Sequence, residues 1–121
     1  MTSTLAIRIA ALMGFLAVAL GAFGAHGLEN VLATNKTTEI WKTAVLYHFV
    51  HTLMLFMLGQ KQPVRSGPWL SFLAGILLFS GSLYLMAVTN LRWLGAITPI
   101  GGVFFLIGWA WLFFTAGKKT G

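Results

Sequence analysis

His48 and His51 stand three residues apart within an apolar run, and on a helix that spacing puts both imidazoles on one face. At about 100° per residue, Glu39, Thr43, Tyr47, His48, His51 and Thr52 fall within little more than a third of the circumference. Val45, Leu46, Phe49, Leu53 and Phe56 occupy the other side. The polar stripe is therefore expected to face protein and the apolar side lipid. His51 falls roughly 15 Å along the helix from Trp41, close to a bilayer centre, with His48 one turn above it.

Ionisable residues at that depth are costly, which makes them functional candidates. Histidine changes charge near neutral pH, so His48 and His51 could carry a proton or ion pathway with Glu39 at its mouth. They could instead bind a metal, with His26 or Glu39 completing three ligands. Haem would need histidines on opposed helices, and the one outside this stretch is His26 at a helix end. The competing structural role is interhelical hydrogen bonding to Ser80, Ser82, Tyr84 or Thr98, worth about 1 kcal/mol or less per bond. No cofactor is expected, and a metal is the one open alternative.

Catalytic signatures point away from an enzyme. The two acids, Glu29 and Glu39, lie in or beside one loop, which leaves paired-carboxylate chemistry unsupported. No GxSxG, HExxH, Walker or dinucleotide motif occurs, and there is no cysteine to serve as nucleophile or thiolate ligand. Ser80-Gly81-Ser82 with His51 as base is the nearest approach to a nucleophile arrangement.

The elements that must position these residues are membrane spans. Only 8% of the 121 residues are charged, against about 25% in a soluble domain, and a chain this short cannot hide the apolar remainder from water. Four stretches reach the roughly 20 apolar residues that a bilayer needs: about 9–25, 41–59, 69–88 and 94–116. The first resembles a signal peptide but is read as an uncleaved helix, one of four comparable spans. Residues 1–121 then form one all-α domain, an antiparallel bundle of four transmembrane helices. The net charge of +6 is spread over span ends, which argues against nucleic acid and for topology signals. Arg8, Lys61, Arg65, Lys118 and Lys119 lie on one side, against Lys36, Lys42 and Arg92 on the other, so both termini are expected in the cytoplasm. Trp41, Trp69, Trp93 and Trp111 are expected in interfacial belts. Asn35-Lys36-Thr37 matches a glycosylation acceptor, read as chance.

Small residues should carry the packing, because lipid supplies no hydrophobic drive between helices. Ala10, Gly14, Ala17, Gly21 and Gly24 form one stripe on the first span, with Gly75 and Gly81 on the third and Gly101, Gly102 and Gly108 on the fourth. They serve internal packing, a homo-oligomer, or both. Thr98 and Pro99 enter the outer half of the fourth span, where the proline is expected to free a carbonyl. Polar and small residues from all four spans thus converge in the outer half, predicting a pocket of His51, His48, Tyr47, Ser80, Ser82, Tyr84 and Thr98 near His26 and Glu39.

The segments GAFGAHGL (21–28), YHFVHTL (47–53), FSGSLY (79–84) and TPIGGVFFLIGW (98–109) resemble the family catalogued as domain of unknown function 423, small bacterial inner-membrane proteins of the YgdD/YwdK type. The resemblance covers nearly the whole chain. It implies a four-helix protein of the bacterial plasma membrane with no established activity, and it assigns no functional residue. The expected role is that of a non-enzymatic accessory or homo-oligomeric protein. Its partners would be the bilayer and either a second copy or another membrane protein. A small transporter or channel relaying through His48 and His51 is the alternative, and metal binding comes third.

Overall fold

Within hydrocarbon a backbone must satisfy its own polar groups, and the chain does so as helices throughout. The computed structural model describes residues 1–118; Lys119, counted above in the basic tail, lies outside them. The first helix, α1 (Ser3–Ala25), starts at Thr2, whose hydroxyl accepts the Leu5 N–H at 3.1 Å. Its 23 residues give about 34 Å, enough to cross a ~30 Å core, and it begins well before residue 9. A short α2 (Glu29–Asn35) ends at Lys36 in the left-handed conformation and leads into α3 (Thr38–Gly59). The third span is continuous from Ser66 to Thr89, made of α4 (Ser66–Gly75), a π-helical turn (Ile76–Ser80) and α5 (Gly81–Thr89). Asn90, left-handed at φ 60°, closes α5. A 3₁₀ turn (Arg92–Ala96) then precedes α6 (Thr98–Thr115).

These four helical stretches are each long and apolar enough to cross a membrane. The second span, α3, packs on both sides: α1 lies against α3, the third span lies against α3, and α6 lies against α4 and the π turn. Large apolar side chains such as Phe15, Leu53, Leu106 and Phe113 point outward, as a lipid solvent requires. At one end Asn35 donates to the Ala87 and Val88 carbonyls at 3.0 and 3.1 Å, and buried Thr37 donates to Ala87 at 2.8 Å, which pins α2 over the end of α5. At the other, the Ser3 hydroxyl donates to the Gly59 carbonyl and Arg65 donates to Thr115. Arg8, Lys61, Arg65 and Lys118 share this second end, which the lysine and arginine bias assigns to the cytoplasm.

The small-residue stripe of α1 packs inside the molecule. Ala10 and Ala17 are buried, Gly14 faces the Thr52 methyl and Gly21 faces Val45. A side chain at Gly24 would collide with the Trp41 ring. On α6, Gly108 lies under Phe72, Gly102 is in ordinary contact range of the Phe79 side chain, and Gly101 sits against the backbone of Leu78 and Phe79 in the π turn. Gly75 lies under the Phe105 ring, but Gly81 faces open space and takes no part in this packing.

Two expectations are corrected. Trp41 and Trp69 are core residues rather than interfacial ones: each is buried, and each indole N–H donates to a carbonyl of a neighbouring element, Leu20 at 2.9 Å and Leu55 at 3.1 Å. Trp93 and Trp111 do lie on the exposed surface. Pro99 stands in the first turn of α6, where its missing N–H would have had no helical partner. It therefore frees no carbonyl within the span.

Candidate functional site

The buried face of α3 is Trp41, Ala44, His48, His51, Thr52, Leu55 and Gly59, a seam built on helical spacings of three and four, with His51 and Thr52 side by side in it. The expected polar stripe is rotated from this seam. His48, His51 and Thr52 lie in it, whereas Thr43 and Glu39 are exposed and Tyr47 stands at its edge, 41% exposed. Glu39 and Thr43 lie in the first turns of α3, where a polar side chain needs no protein to cover it, so they do not mark the buried face.

His51 is bonded through both ring nitrogens. Nδ1 lies 2.8 Å from the Tyr47 carbonyl one turn back, and Nε2 lies 3.0 Å from the indole Nε1 of Trp109 on α6. A carbonyl only accepts and an indole N–H only donates, so Nδ1 carries the proton and Nε2 presents its lone pair. The imidazole is neutral in this arrangement. Its ring stacks on Phe105, centroids 3.7 Å apart and planes within 11°, with Phe72 and Trp109 tilted around it.

His48 faces the other side of the seam. Its Nδ1 meets the Tyr84 hydroxyl of α5 at 2.8 Å. Nε2 is buried without a hydrogen-bond partner; the Met13 backbone of α1 comes near the ring without completing a bond. Thr52 returns its hydroxyl to the His48 carbonyl at 2.7 Å.

The remaining polar groups pair separately. Ser80, fully buried in the π turn, donates to the Ala44 carbonyl of α3 at 2.8 Å. Ser82 and Thr98 join α5 to the start of α6 through a 2.6 Å hydroxyl pair. In place of the expected single pocket, these groups form separate pairs along the bundle, with one ring nitrogen of His48 left without a partner. His26 is exposed at the end of α1, and Glu39 is exposed in the first turn of α3, so neither joins the buried histidines. Among the described residues no three His, Cys, Asp or Glu side chains gather as a metal-binding group.

Trp109, the residue that fixes His51, was not among the expected site residues. One signal was present: an indole well inside a span must find an acceptor for its N–H, and a histidine on another span at comparable depth can supply one.

A sequence profile of the family described as "protein of unknown function (DUF423)" matches residues 20–102. The UPF0382 membrane protein YwdK of Bacillus subtilis is 47% identical over 93% of this chain and 95% of its own. A UPF0382 membrane protein of Staphylococcus epidermidis is 47% identical over 95% and 97%. The UPF0382 inner membrane protein YgdD of Escherichia coli is 44% identical over 91% and 87%. No solved structure is a significant match.

Proposed function

The chain belongs to the DUF423 family of multi-pass membrane proteins, and from that premise we propose that it is a non-enzymatic accessory protein of the bacterial inner (plasma) membrane, acting through association with another membrane protein or a second copy of itself. The observation that carries this reading is the double commitment of His51. A proton relay or a metal site needs a ring nitrogen free to exchange its partner, and both nitrogens of His51 are occupied by groups of the bundle itself. Its role is then to hold α3 against α6, with His48–Tyr84, Ser80–Ala44 and Ser82–Thr98 doing the same for the third span. Such bonds keep the helices in one register and leave the lipid-facing side chains as the surface for association.

One observation favours a second reading, proton or ion transfer. His48 Nε2 is a buried polar atom without a partner, and such an atom is where a passing proton or water would stop. Reconstitution separates the two. In liposomes carrying a pH-sensitive dye, the accessory reading expects acidification under an imposed gradient to match empty liposomes, for wild type and for His48→Phe alike. It also expects a discrete complex by native mass spectrometry, a multiple of the chain mass or a fixed heteromer. Protein-dependent flux abolished by His48→Phe would establish the relay in its place.

A further inference from the structure

A groove of about 390 Å³ lies between the ends of α1, α2 and α3. We infer that it binds one phospholipid of the leaflet at that end, with an acyl chain in the groove and a zwitterionic, amine-bearing headgroup held by Lys42 and Glu39. This site is independent of the accessory role proposed above.

The lining is graded. Thr38 and Lys42 stand at the end nearest the membrane surface, and from there Trp41, Val45, Leu46 and Phe49 line an apolar run along α3, facing Gly21 and Gly24 of α1. From Thr38 to Phe49 the helix rises about 16 Å, which matches the ~15 Å half-thickness of the hydrocarbon core and so the reach of one acyl chain. Gly21 and Gly24 let Val45 and Trp41 seat close against α1, so the groove has a continuous apolar floor. Trp41 closes the floor, its ring against Gly24 and its N–H on the Leu20 carbonyl at 2.9 Å. Leu46 and Phe49 are 60% and 42% exposed, so the groove opens sideways to lipid and a chain can enter without opening the bundle.

Charge selects the headgroup. Lys42 and Glu39 form an ion pair at 3.5 Å with side chains 68% and 87% exposed, a geometry that binds the two side chains to each other only weakly. A lysine ammonium suits a phosphate, and a carboxylate beside it suits an ammonium while repelling a second negative charge. Phosphate next to amine is the arrangement of phosphatidylethanolamine. A headgroup of net negative charge, such as phosphatidylglycerol, would meet Lys42 but gain nothing from Glu39.

The test uses the full-length protein in vesicles containing a trace of phosphatidylethanolamine or phosphatidylglycerol with a diazirine in the acyl chain, followed by peptide mapping after irradiation. Labelling is expected to concentrate on residues 21–25 and 41–49 above the lipid-exposed control residues Leu106 and Phe113, with phosphatidylethanolamine ahead. Lys42→Ala, at an exposed position, should cut labelling of the groove about threefold, and Glu39→Gln should abolish the preference over phosphatidylglycerol. Ala25→Leu, which narrows the groove from an exposed position, should lower labelling by both lipids. Uniform labelling of the lipid-facing surface, equal capture of the two lipids by wild type, or indifference to Lys42→Ala would overturn the assignment.

Discussion

Gly101→Ala is expected to lower stability by about 2–3 kcal/mol or more, while the same change at the adjacent Gly102 stays within about 1 kcal/mol, on the stabilising side. The two positions differ in what an added methyl would meet. At Gly101 it would stand 2.2 Å from the Phe79 nitrogen, 2.7 Å from its Cα and 2.8 Å from the Leu78 carbonyl carbon. All three are backbone atoms of the π turn, which no rotamer change can move aside, so α6 must lift off the third span. At Gly102 the nearest atom is a side-chain carbon of Phe79 at 3.8 Å, ordinary contact, and the helix regains the propensity that glycine gives up. Gly108→Ala should fall between them: its methyl would come within 2.6 Å of the Phe72 ring, and that ring has some freedom to shift. Thermal unfolding in mild detergent, followed by near-ultraviolet circular dichroism, ranks the three. Equal effects at Gly101 and Gly102 would mean that α6 does not seat on the π turn as described.

His51→Ala is expected to cost about 2–4 kcal/mol, combining a cavity under Phe105 with an indole N–H left without an acceptor. Trp109→Phe keeps most of the ring volume and strands only an acceptor lone pair, so its cost should be nearer 1 kcal/mol. The two changes together should cost less than their sum by about 0.6 kcal/mol, and by no more than about 1.7 kcal/mol, as for hydrogen bonds between membrane helices. Strict additivity in a double-mutant cycle would show that His51 and Trp109 are neighbours without being partners.

The spans were legible because the bilayer sets a blunt rule, apolar length, and the chain meets it four times. The stripe from Ala10 to Gly24 was legible for a related reason: close helix approach in lipid leaves a periodic signature of small residues. Its glycines serve internal packing, with Thr52, Val45 and Trp41 opposite them. The site was harder. Tyr47, His48 and His51 are near neighbours on a helical wheel, yet their surroundings differ because the partner helices are narrow and their side chains reach only part of α3. Nothing in residues 41–59 alone tells that His51 will find an indole and His48 a phenol. Nor does hydropathy reveal a π turn, whose extra residue shifts the register between Gly75 and Gly81 and brings Ser80 to the Ala44 carbonyl. The tryptophans show the same gap. Trp41 and Trp69 sit at span ends by count, as interfacial residues do, but packing draws both into the core.

A polar residue at mid-membrane suggests transport when it is viewed on its own span, because its cost has no visible return. Seen with its partners, His51 has both nitrogens occupied and an aromatic face on Phe105, so its cost is met by the bundle.

The most direct test of that role is ¹⁵N solid-state NMR of ring-labelled histidine in lipid bilayers at neutral pH, with His51 assigned by comparison with His51→Ala. The expected spectrum shows a neutral imidazole protonated at Nδ1, with the Trp109 indole proton coupled to Nε2. An imidazole protonated at Nε2, or an imidazolium, would contradict the account and return His51 to the list of groups free to bind or carry an ion.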